Sequence, residues 1–233
     1  MRLPREITIL YEDDAVIAVD KPAGLAAVPI ESSNTASAWA VVAEELKLRH
    51  QKAYVVHRID RFTSGVLLFA KSHGARDILV RQFLKHTPVR EYLAIVRGQL
   101  ATKEGQFVHY LRRSGMRQQV SREGDPEATR AEMRYSVEQP LRNATLVRVT
   151  LVTGLQNQIR VQFAEAGHPV IGDRKYRPAE AEERRIERVA LHAAHLAFTH
   201  PFSRETIAID SPLPADMRSL VAALSRTDRA PRG

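Results

Sequence analysis

The sequence of 233 residues contains no cysteine. That absence excludes a disulfide framework, a thiolate metal site and a cysteine nucleophile. No apolar run approaches the roughly 20 residues that a membrane-spanning helix needs. Residues 1–6 also lack the apolar core of a signal peptide. These absences predict a protein of the cytoplasm that has no membrane partner.

Acidic residues are fewer than basic ones. The chain has 35 lysines and arginines against 27 aspartates and glutamates, and its formal net charge is +8 at pH 7. Such an excess favours a polyanionic partner without identifying it. Apolar residues form 44% of the chain and charged residues 27%, proportions typical of a globular protein and not of a disordered one.

The apolar pattern predicts many strands separated by a few helices, with no internal repeat. Residues 7–10 and 15–19 alternate about an acidic turn, as in a β-hairpin. Further strands are predicted over residues 66–70, 92–97, 106–111, 118–121, 130–138, 144–152, 191–199 and 205–209. Helices are predicted over residues 36–48, 75–85, 156–166, 179–189 and 214–224, the first with Ser33 or Thr35 as its N-cap. Because the order has no steady βαβ rhythm, it indicates an α+β fold with a mixed, mainly antiparallel central sheet and flanking helices.

One polar segment stands between two apolar runs and is the most informative stretch of the sequence. It reads His57-Arg58-Ile59-Asp60-Arg61-Phe62-Thr63-Ser64-Gly65. Asp60 lies between two arginines, and a carboxylate among cations stays ionised at neutral pH. The ionised form suits a nucleophile or an electrostatic partner better than a general acid. On these residues alone, a structural aspartate that caps a turn is the simpler interpretation.

These nine residues and the strand after them resemble the catalytic motif of the RluA-type pseudouridine synthases. That motif runs His-Arg-Leu-Asp-Arg-x-Thr-Ser-Gly and continues into an apolar strand that ends in Ala-Lys, as residues 66–71 do here. Ile59 replaces the leucine, which is a conservative change. Because the match includes polar positions that packing would not dictate, it is specific.

Five further segments resemble the same family and occur in the expected order. They are residues 21–25, 90–98, 153–160, 167–176 and 191–201. The resemblance therefore extends from about Ile7 to Pro201. It implies a compact member with no S4-type RNA-binding domain ahead of Ile7. In such a member, residues 1–225 form a single catalytic domain around a central cleft, and residues 226–233 form a flexible tail.

The resemblance also assigns roles to individual residues. It implies that Asp60 is the nucleophile or the base that starts cleavage, and that Arg160 is its ion-pair partner. Tyr92 would provide a stacking ring and a phenol for proton transfer. The substrate-binding residues would be His57, Arg58, Arg61, Thr63 and Leu191. Of these, Arg58 would fill the gap left by an extruded base, Leu191 would pack beneath the uracil, and His57 would organise the loop.

The implied activity is that of an isomerase, an RNA pseudouridine synthase. Turning uridine into pseudouridine requires breaking the C1′–N1 bond, turning the uracil over and rejoining it through C5. Since the reaction needs no electron or group carrier, we expect no cofactor and no metal. The expected partner is structured RNA, either large-subunit ribosomal RNA or transfer RNA or both, bound by a monomer.

One departure from the family pattern leaves an alternative open. Leu155 and Asn157 stand where the family usually has arginine and histidine, in a basic surface near the substrate. The alternative is a catalytically impaired RNA-binding or ribosome-assembly factor on the same fold. A metal hydrolase has less support, because the nine histidines include no His-Glu-x-x-His spacing.

Overall fold

The computed structural model describes residues 2–3, 7–29, 36–115, 117–176 and 186–225. Twelve β-strands and four α-helices lie in these ranges. The chain divides into two compact units, of which the first contains Met1–Tyr92 and His192–Pro212 and the second Leu93–Leu191 and Leu213–Gly233. Neither unit is continuous in sequence. No helix within the described ranges is long and apolar enough to cross a membrane.

The strands of the first unit pair in a mixed arrangement. They are β1 (Arg2–Leu3), β2 (Ile7–Glu12), β3 (Val16–Lys21), β4 (Tyr54–Val55), β5 (Ser64–Ala70), β11 (Leu191–Thr199) from His192 onward, and β12 (Thr206–Asp210). β1, β2, β3 and β5 are adjacent in that order, and β12 pairs with β11. The antiparallel pair β2 and β3 is the hairpin that the sequence predicts.

Strand β5 is central in this unit. Val16 of β3 and Tyr54 of β4 both pair with its Ala70, so these two strands lie along opposite edges. At the other end, β11 runs parallel to β5, with His192 opposite Ser64. All seven residues of β5 are buried, because the strand has neighbours on both edges and an apolar cluster on each face. This burial accounts for the continuous apolar run in the sequence.

Two helices contribute to two core clusters around β5. Helix α1 (Ala38–Lys47) shares one cluster with Leu67 and Phe69, whereas α2 (His73–Leu84) shares the other with Val66 and Leu68. This division follows from the alternation of side chains along a strand. Strand β5 therefore contributes side chains to both clusters. The turn that precedes it leads directly into a strand that is packed on both faces.

Each of these helices begins at a serine. The hydroxyl groups of Ser37 and Ser72 accept hydrogen bonds of 3.2 Å from backbone N–H groups in the first turns of α1 and α2. Such caps typically contribute about 1 kcal/mol to helix stability. The N-cap of α1 is therefore Ser37, and the predicted caps Ser33 and Thr35 lie outside the described residues.

The strands of the second unit pair in an antiparallel meander. They are β6 (Val89–Arg97) from Leu93 onward, β7 (Glu104–Ser114), β8 (Arg117–Ser121), β9 (Ala128–Leu141) and β10 (Ala144–Leu151), in the order β6-β10-β9-β7-β8. Helix α3 (Gln158–Glu165) packs Val161 against Leu111 and Ala131 of these strands. Helix α4 (Ala215–Ser225) accepts a hydrogen bond from the Arg142 N–H at its Leu224 carbonyl.

The α+β fold with a mixed, mainly antiparallel sheet is confirmed.

The predicted helix over residues 179–189 is wrong at its end, because residues 186–189 are not helical. There the buried Arg188 guanidinium donates to the Asp216 carboxylate at 2.7 and 2.9 Å. Residues 177–185 and the predicted tail lie outside the described residues. The single domain over residues 1–225 and its central cleft stay predictions.

Gly65 allows the close approach of β5 and β11. Its φ is +109°, and a Cβ there would lie 2.1 Å from the Ala193 carbonyl oxygen. We expect Gly65→Ala to lower the free energy of unfolding by about 3 kcal/mol or more, because it strains the backbone and forces the strands apart. Gly74→Ala in α2 is the matched control, since nothing lies within 4 Å of the added carbon. Its stability should stay within about 1 kcal/mol of the parent in urea unfolding. Equal stabilities of the two variants would contradict this account.

Candidate active site

Residues 60–63 form a tight turn that leads into β5. The Thr63 N–H donates to the Asp60 carbonyl oxygen at 3.1 Å, which closes the turn. Gly24 and Arg61 exchange two hydrogen bonds of 2.8 Å, one donated by the Gly24 N–H and one by the Arg61 Nε. The turn is therefore fixed within itself and also to the segment of residues 21–25.

Lys21, at the end of β3, joins these two segments from inside. Its side chain is fully buried, and its Nζ donates to the carbonyl oxygens of Pro22 at 2.9 Å, Leu25 at 2.8 Å and Arg61 at 3.1 Å. A buried ammonium is costly unless polar groups replace the water that it loses. The three carbonyls do so, and in return the ammonium fixes the backbone beside Asp60.

A buried histidine fixes the start of β5. The hydroxyl of Ser64 lies 2.9 Å from His192 Nδ1, and His192 Nε2 lies 3.1 Å from the Ser211 carbonyl oxygen. A carbonyl only accepts, so Nε2 carries the proton and Nδ1 accepts from the Ser64 hydroxyl. This chain of hydrogen bonds connects β5, β11 and the segment after β12 behind the turn.

His57 is held in its neutral form. Its Nε2 accepts a hydrogen bond of 3.1 Å from the Leu68 N–H, so that nitrogen carries no proton. The ring stacks on Phe83, with centroids 4.4 Å apart and an angle of 12° between the planes. Burial, together with the charge of Arg90, lowers the pKa of His57 to about 3. The ring thus accepts from the backbone of β5, and both the role of His57 in organising the loop and its contact with substrate stay predictions.

Tyr92 lies near Asp60 in the first unit. Burial raises the pKa of Tyr92 to about 12, the charge of Arg90 opposes this shift, and the charge of Asp60 adds to it. The influence of Asp60 means that its charge acts on the phenol. Tyr92 is therefore a protonated phenol at neutral pH, in the electrostatic range of a carboxylate.

Arg90 is a buried cation next to these groups. Two positions apart on β6, Arg90 and Tyr92 point to the same side of the strand. Arg90 is 9% exposed, and among the described residues its Nε and Nη2 have no hydrogen-bond partner. Burial lowers the pKa of its guanidinium. A buried guanidinium with open donors costs stability, which points to a role in the site.

The other residues predicted to bind substrate differ in exposure. Arg58 and Arg61 are exposed, whereas Thr63 is 2% exposed and its backbone closes the turn. The Arg61 guanidinium lies over the ring of Phe62, 5.6 Å from its centroid. Arg58 and Arg61 are thus available to a ligand, and a contact between the Thr63 side chain and substrate stays a prediction.

Arg160 lies on α3, in the second unit. It is 8% exposed, and its Nε and Nη2 donate to the two carboxylate oxygens of Asp173 at 2.7 and 2.8 Å. Burial alone would raise the pKa of Asp173, but the hydrogen bond and charge of Arg160 outweigh it and hold that pKa below its usual range. Such a bidentate pair fixes the plane of the guanidinium. The predicted pairing of Arg160 with Asp60 stays a prediction.

The two departures from the family pattern have structural contacts. Asn157 precedes α3 with φ of +55°, a conformation that asparagine tolerates better than most residues. Its Oδ1 accepts from Arg160 Nη1 at 2.8 Å, and its Nδ2 donates to the Tyr176 hydroxyl at 3.3 Å. Leu155 packs against the apolar cluster of the second unit. Leu191, also in this unit, is 4% exposed.

Sequence reasoning assigned no role to Lys21, Arg90, Asn157 or Asp173. All four residues lie in the segments that resemble the family, where Asn157 was noted only as a departure. In the parts of the chain that the structure describes, no cluster of three or more histidines and acidic residues is placed to hold a metal ion.

Comparison with known proteins gives matches along nearly the whole chain. Residues 15–165 match the family described as RNA pseudouridylate synthase. An uncharacterised RNA pseudouridine synthase of Bacillus subtilis strain 168, YhcT, is 36% identical over 92% of this chain and 71% of its own length. The ribosomal large subunit pseudouridine synthase C of Escherichia coli strain K12 is 36% identical over 93% of this chain and 69% of its own length.

Solved structures agree at the level of the fold. The human RNA pseudouridylate synthase domain containing 4 protein has a TM-score of 0.79 at 21% identity, with 93% of this chain and 92% of that chain covered. The human domain containing 1 protein has a TM-score of 0.71 at 23% identity, with 95% of each chain covered. From the family match and the relatives, the chain belongs to the RNA pseudouridylate synthase family, and it is an isomerase that acts on RNA.

Proposed function

We propose that this chain converts uridine to pseudouridine in large-subunit ribosomal RNA, with Asp60 as the residue that starts the reaction. The observation that carries the role of Asp60 is its place in the turn of residues 60–63, from which its charge acts on the phenol of Tyr92. The turn is fixed by Lys21 and by Gly24, so the backbone that carries the Asp60 side chain is held in place. Such preorganisation is what a nucleophile requires.

The reaction divides into steps that balance without a further reagent. Asp60 acts as nucleophile at C1′ or as the base that starts cleavage, and the uracil leaves through N1 with the electron pair of the broken bond. The uracil turns over, and C5 forms the new bond to C1′ while the bond from the Asp60 oxygen to C1′ breaks and its electron pair returns to the carboxylate. Where Asp60 acts as a base, the proton that it removed from the sugar is returned in this step. Loss of the proton from C5 and gain of a proton at N1 complete the isomerisation. The electrons and atoms of the product equal those of the substrate.

Tyr92 is suited to act on the uracil as a neutral phenol. With a pKa of about 12 it keeps its proton at neutral pH, so it donates a hydrogen bond and offers a flat ring to the base. Accepting the C5 proton would require phenolate character. The charge of Arg90 favours that form and opposes the effect of burial. We therefore assign Arg90 to the tuning of Tyr92.

The remaining predicted residues are assigned as follows. Arg58 is exposed and planar, so it can stack in the place that an extruded uridine leaves. Arg61 offers its charge to RNA from the same turn. Arg160 is assigned to the catalytic set, and its ion pair with Asp173 supports this because it fixes the guanidinium. Leu191 is assigned to the apolar surface beneath the uracil.

The choice of ribosomal RNA rests on the named relatives. Large-subunit pseudouridine synthases from E. coli and Yersinia pestis are 36% and 35% identical to this chain. The net charge of +8 suits any RNA and does not separate ribosomal from transfer RNA. We assign large-subunit ribosomal RNA as substrate, a monomer as the active form and the cytoplasm as its location.

A catalytically impaired assembly factor is the second candidate, and it rests on Leu155 and Asn157. Their contacts weaken it. Asn157 accepts a hydrogen bond from Arg160, and Leu155 belongs to an apolar cluster, so both changes support the local structure. Neither removes Asp60 or Tyr92, which carry the proposed chemistry. Activity therefore remains the preferred assignment.

Tritium release tests the activity and its substrate together. Transcripts labelled with tritium at uridine C5 lose the label only if C5 becomes bonded to C1′. We expect release from large-subunit ribosomal RNA and none from transfer RNA. Release from transfer RNA alone would contradict the assignment of large-subunit ribosomal RNA as the substrate. No release from either RNA, or from total cellular RNA, would favour the assembly factor.

Asp60→Asn tests the catalytic assignment. The change keeps the size of the side chain but removes the charge and the nucleophilic oxygen. Tritium release should fall by at least ~1000-fold, while the melting temperature and RNA affinity are kept. Asp14→Asn is the matched control, because Asp14 is an exposed acid in the turn between β2 and β3. It should keep full activity. A well-folded Asp60→Asn protein with normal turnover would move the chemistry to another residue.

The neutral state of His57 predicts how stability changes with pH. The folded protein binds no proton at His57 until the pH nears 3, whereas unfolded histidine binds one below about 6.5. In that window the unfolded state holds more protons, so stability falls as the pH falls. Relative to His57→Gln, the wild type should lose about 1–2 kcal/mol between pH 7 and pH 5 in urea unfolding. A difference that is constant with pH would mean that His57 has the same pKa in the folded and the unfolded chain.

A further inference from the structure

Exposed aromatic side chains are scarce on this protein. Among the large apolar residues that the structure describes, the exposed aromatic ones are Phe62 at 47% and Phe202 at 58%. Phe62 belongs to the turn of residues 60–63, whereas Phe202 follows β11. Scattered exposed apolar residues are normal and need no explanation. The position of Phe62, two residues after Asp60, is what singles it out.

The turn presents Phe62 in a fixed place. The backbone on its N-terminal side is held by hydrogen bonds from Lys21 and Gly24 to the Arg61 carbonyl oxygen. The Arg61 guanidinium donates to the Gly24 carbonyl oxygen and lies over the Phe62 ring. A ring that is held in this way loses little freedom when a ligand binds, so more of its contact energy appears as affinity.

We propose that Phe62 is a stacking platform for the unpaired RNA base next to the target uridine. The inference rests on the proposed role of Asp60. Consecutive Cα atoms are about 3.8 Å apart, so the Cα atoms of Asp60 and Phe62 lie within about 7.6 Å. Successive stacked bases in one strand are roughly 3.4 Å apart, so a platform at this distance from Asp60 can reach the base next to the reacting uridine.

The charges around the ring match this ligand. Arg58 and Arg61 are exposed cations in the same segment, and phosphates flank every base of an RNA strand. An aromatic face with arginines beside it is the arrangement that binds unpaired bases with little dependence on their identity. Phe62 would thus hold the strand while the neighbouring uridine leaves the stack.

Removing either partner of the stack tests the platform. Short single-stranded RNAs with one uridine are prepared with a normal base or an abasic site on its 5′ or its 3′ side. Their affinities are measured by fluorescence anisotropy in the Asp60→Asn background, so that no turnover interferes. Loss of the stacked base should weaken binding about 5- to 150-fold on one side of the uridine. When Phe62→Ala is added to the Asp60→Asn protein, the abasic site should not weaken RNA binding any further.

Three further substitutions separate stacking from general effects. Phe62→Trp should keep the dependence on the flanking base, and Phe62→Leu should lose it although the side chain stays apolar. Phe202→Ala removes the other exposed ring, which lies beyond the end of β11, and should change nothing. If Phe62→Ala fails to fold, as judged by its melting temperature, the pair of Trp and Leu variants gives the same comparison.

The outcomes separate this proposal from the proposed function. Equal abasic losses with Phe62 and with Phe62→Ala or Phe62→Leu would overturn the platform, even if the wild type releases tritium from RNA. No tritium release by the wild type would overturn the proposed function, whatever the binding data show. Base-dependent binding that vanishes only with the loss of the ring supports the platform.

Discussion

The buried ammonium of Lys21 is the interaction on which the candidate site depends. It draws three carbonyl oxygens toward one point, and one of them belongs to Arg61, next to Asp60. A neutral side chain of the same length would leave those carbonyls facing each other without a donor, which is costly in the interior. The charge of Lys21 therefore stabilises the local structure. Through it, residues 21–25 determine the geometry of the turn of residues 60–63, about 40 residues later.

The second unit also contains a buried cation with polar partners, and here the main partner is a carboxylate in an ion pair. Asp173 and Asn157 together direct the Arg160 guanidinium, so its orientation is set by buried neighbours and not by solvent. This explains how a chain that departs from the family at residue 157 keeps its arginine in place. Asparagine supplies both the left-handed backbone and the oxygen that accepts from the arginine. The departure is thus compatible with an ordered site.

Much of the fold could be predicted from the sequence, because its strongest signals are local. The apolar run of β5, the hairpin of β2 and β3, and the full extent of β11 follow from burial on one or both faces of a strand. Contacts distant in sequence could not be predicted. Lysine is usually exposed, so nothing in the pattern marks Lys21 as buried until the carbonyls of other segments surround it. In the same way, the sequence pattern predicted a helix over residues 179–189, whereas the pairing of Arg188 with Asp216 depends on α4. The turn at Asp60 was recognisable only through the family motif, because one aspartate between arginines has many structural explanations.

The parallel pairing of β5 with β11 also affects how the protein is made. Ser64 and His192 are separated by 128 positions, and the first unit is completed only by His192–Pro212. On the ribosome, the N-terminal 92 residues therefore emerge long before the strand that closes the edge of β5. Contacts between such distant segments form slowly, because a long loop must close before they contribute stability. Until then one edge of β5 is unpaired at Ser64 and Gly65, and an unpaired strand edge next to an apolar run can pair with another chain.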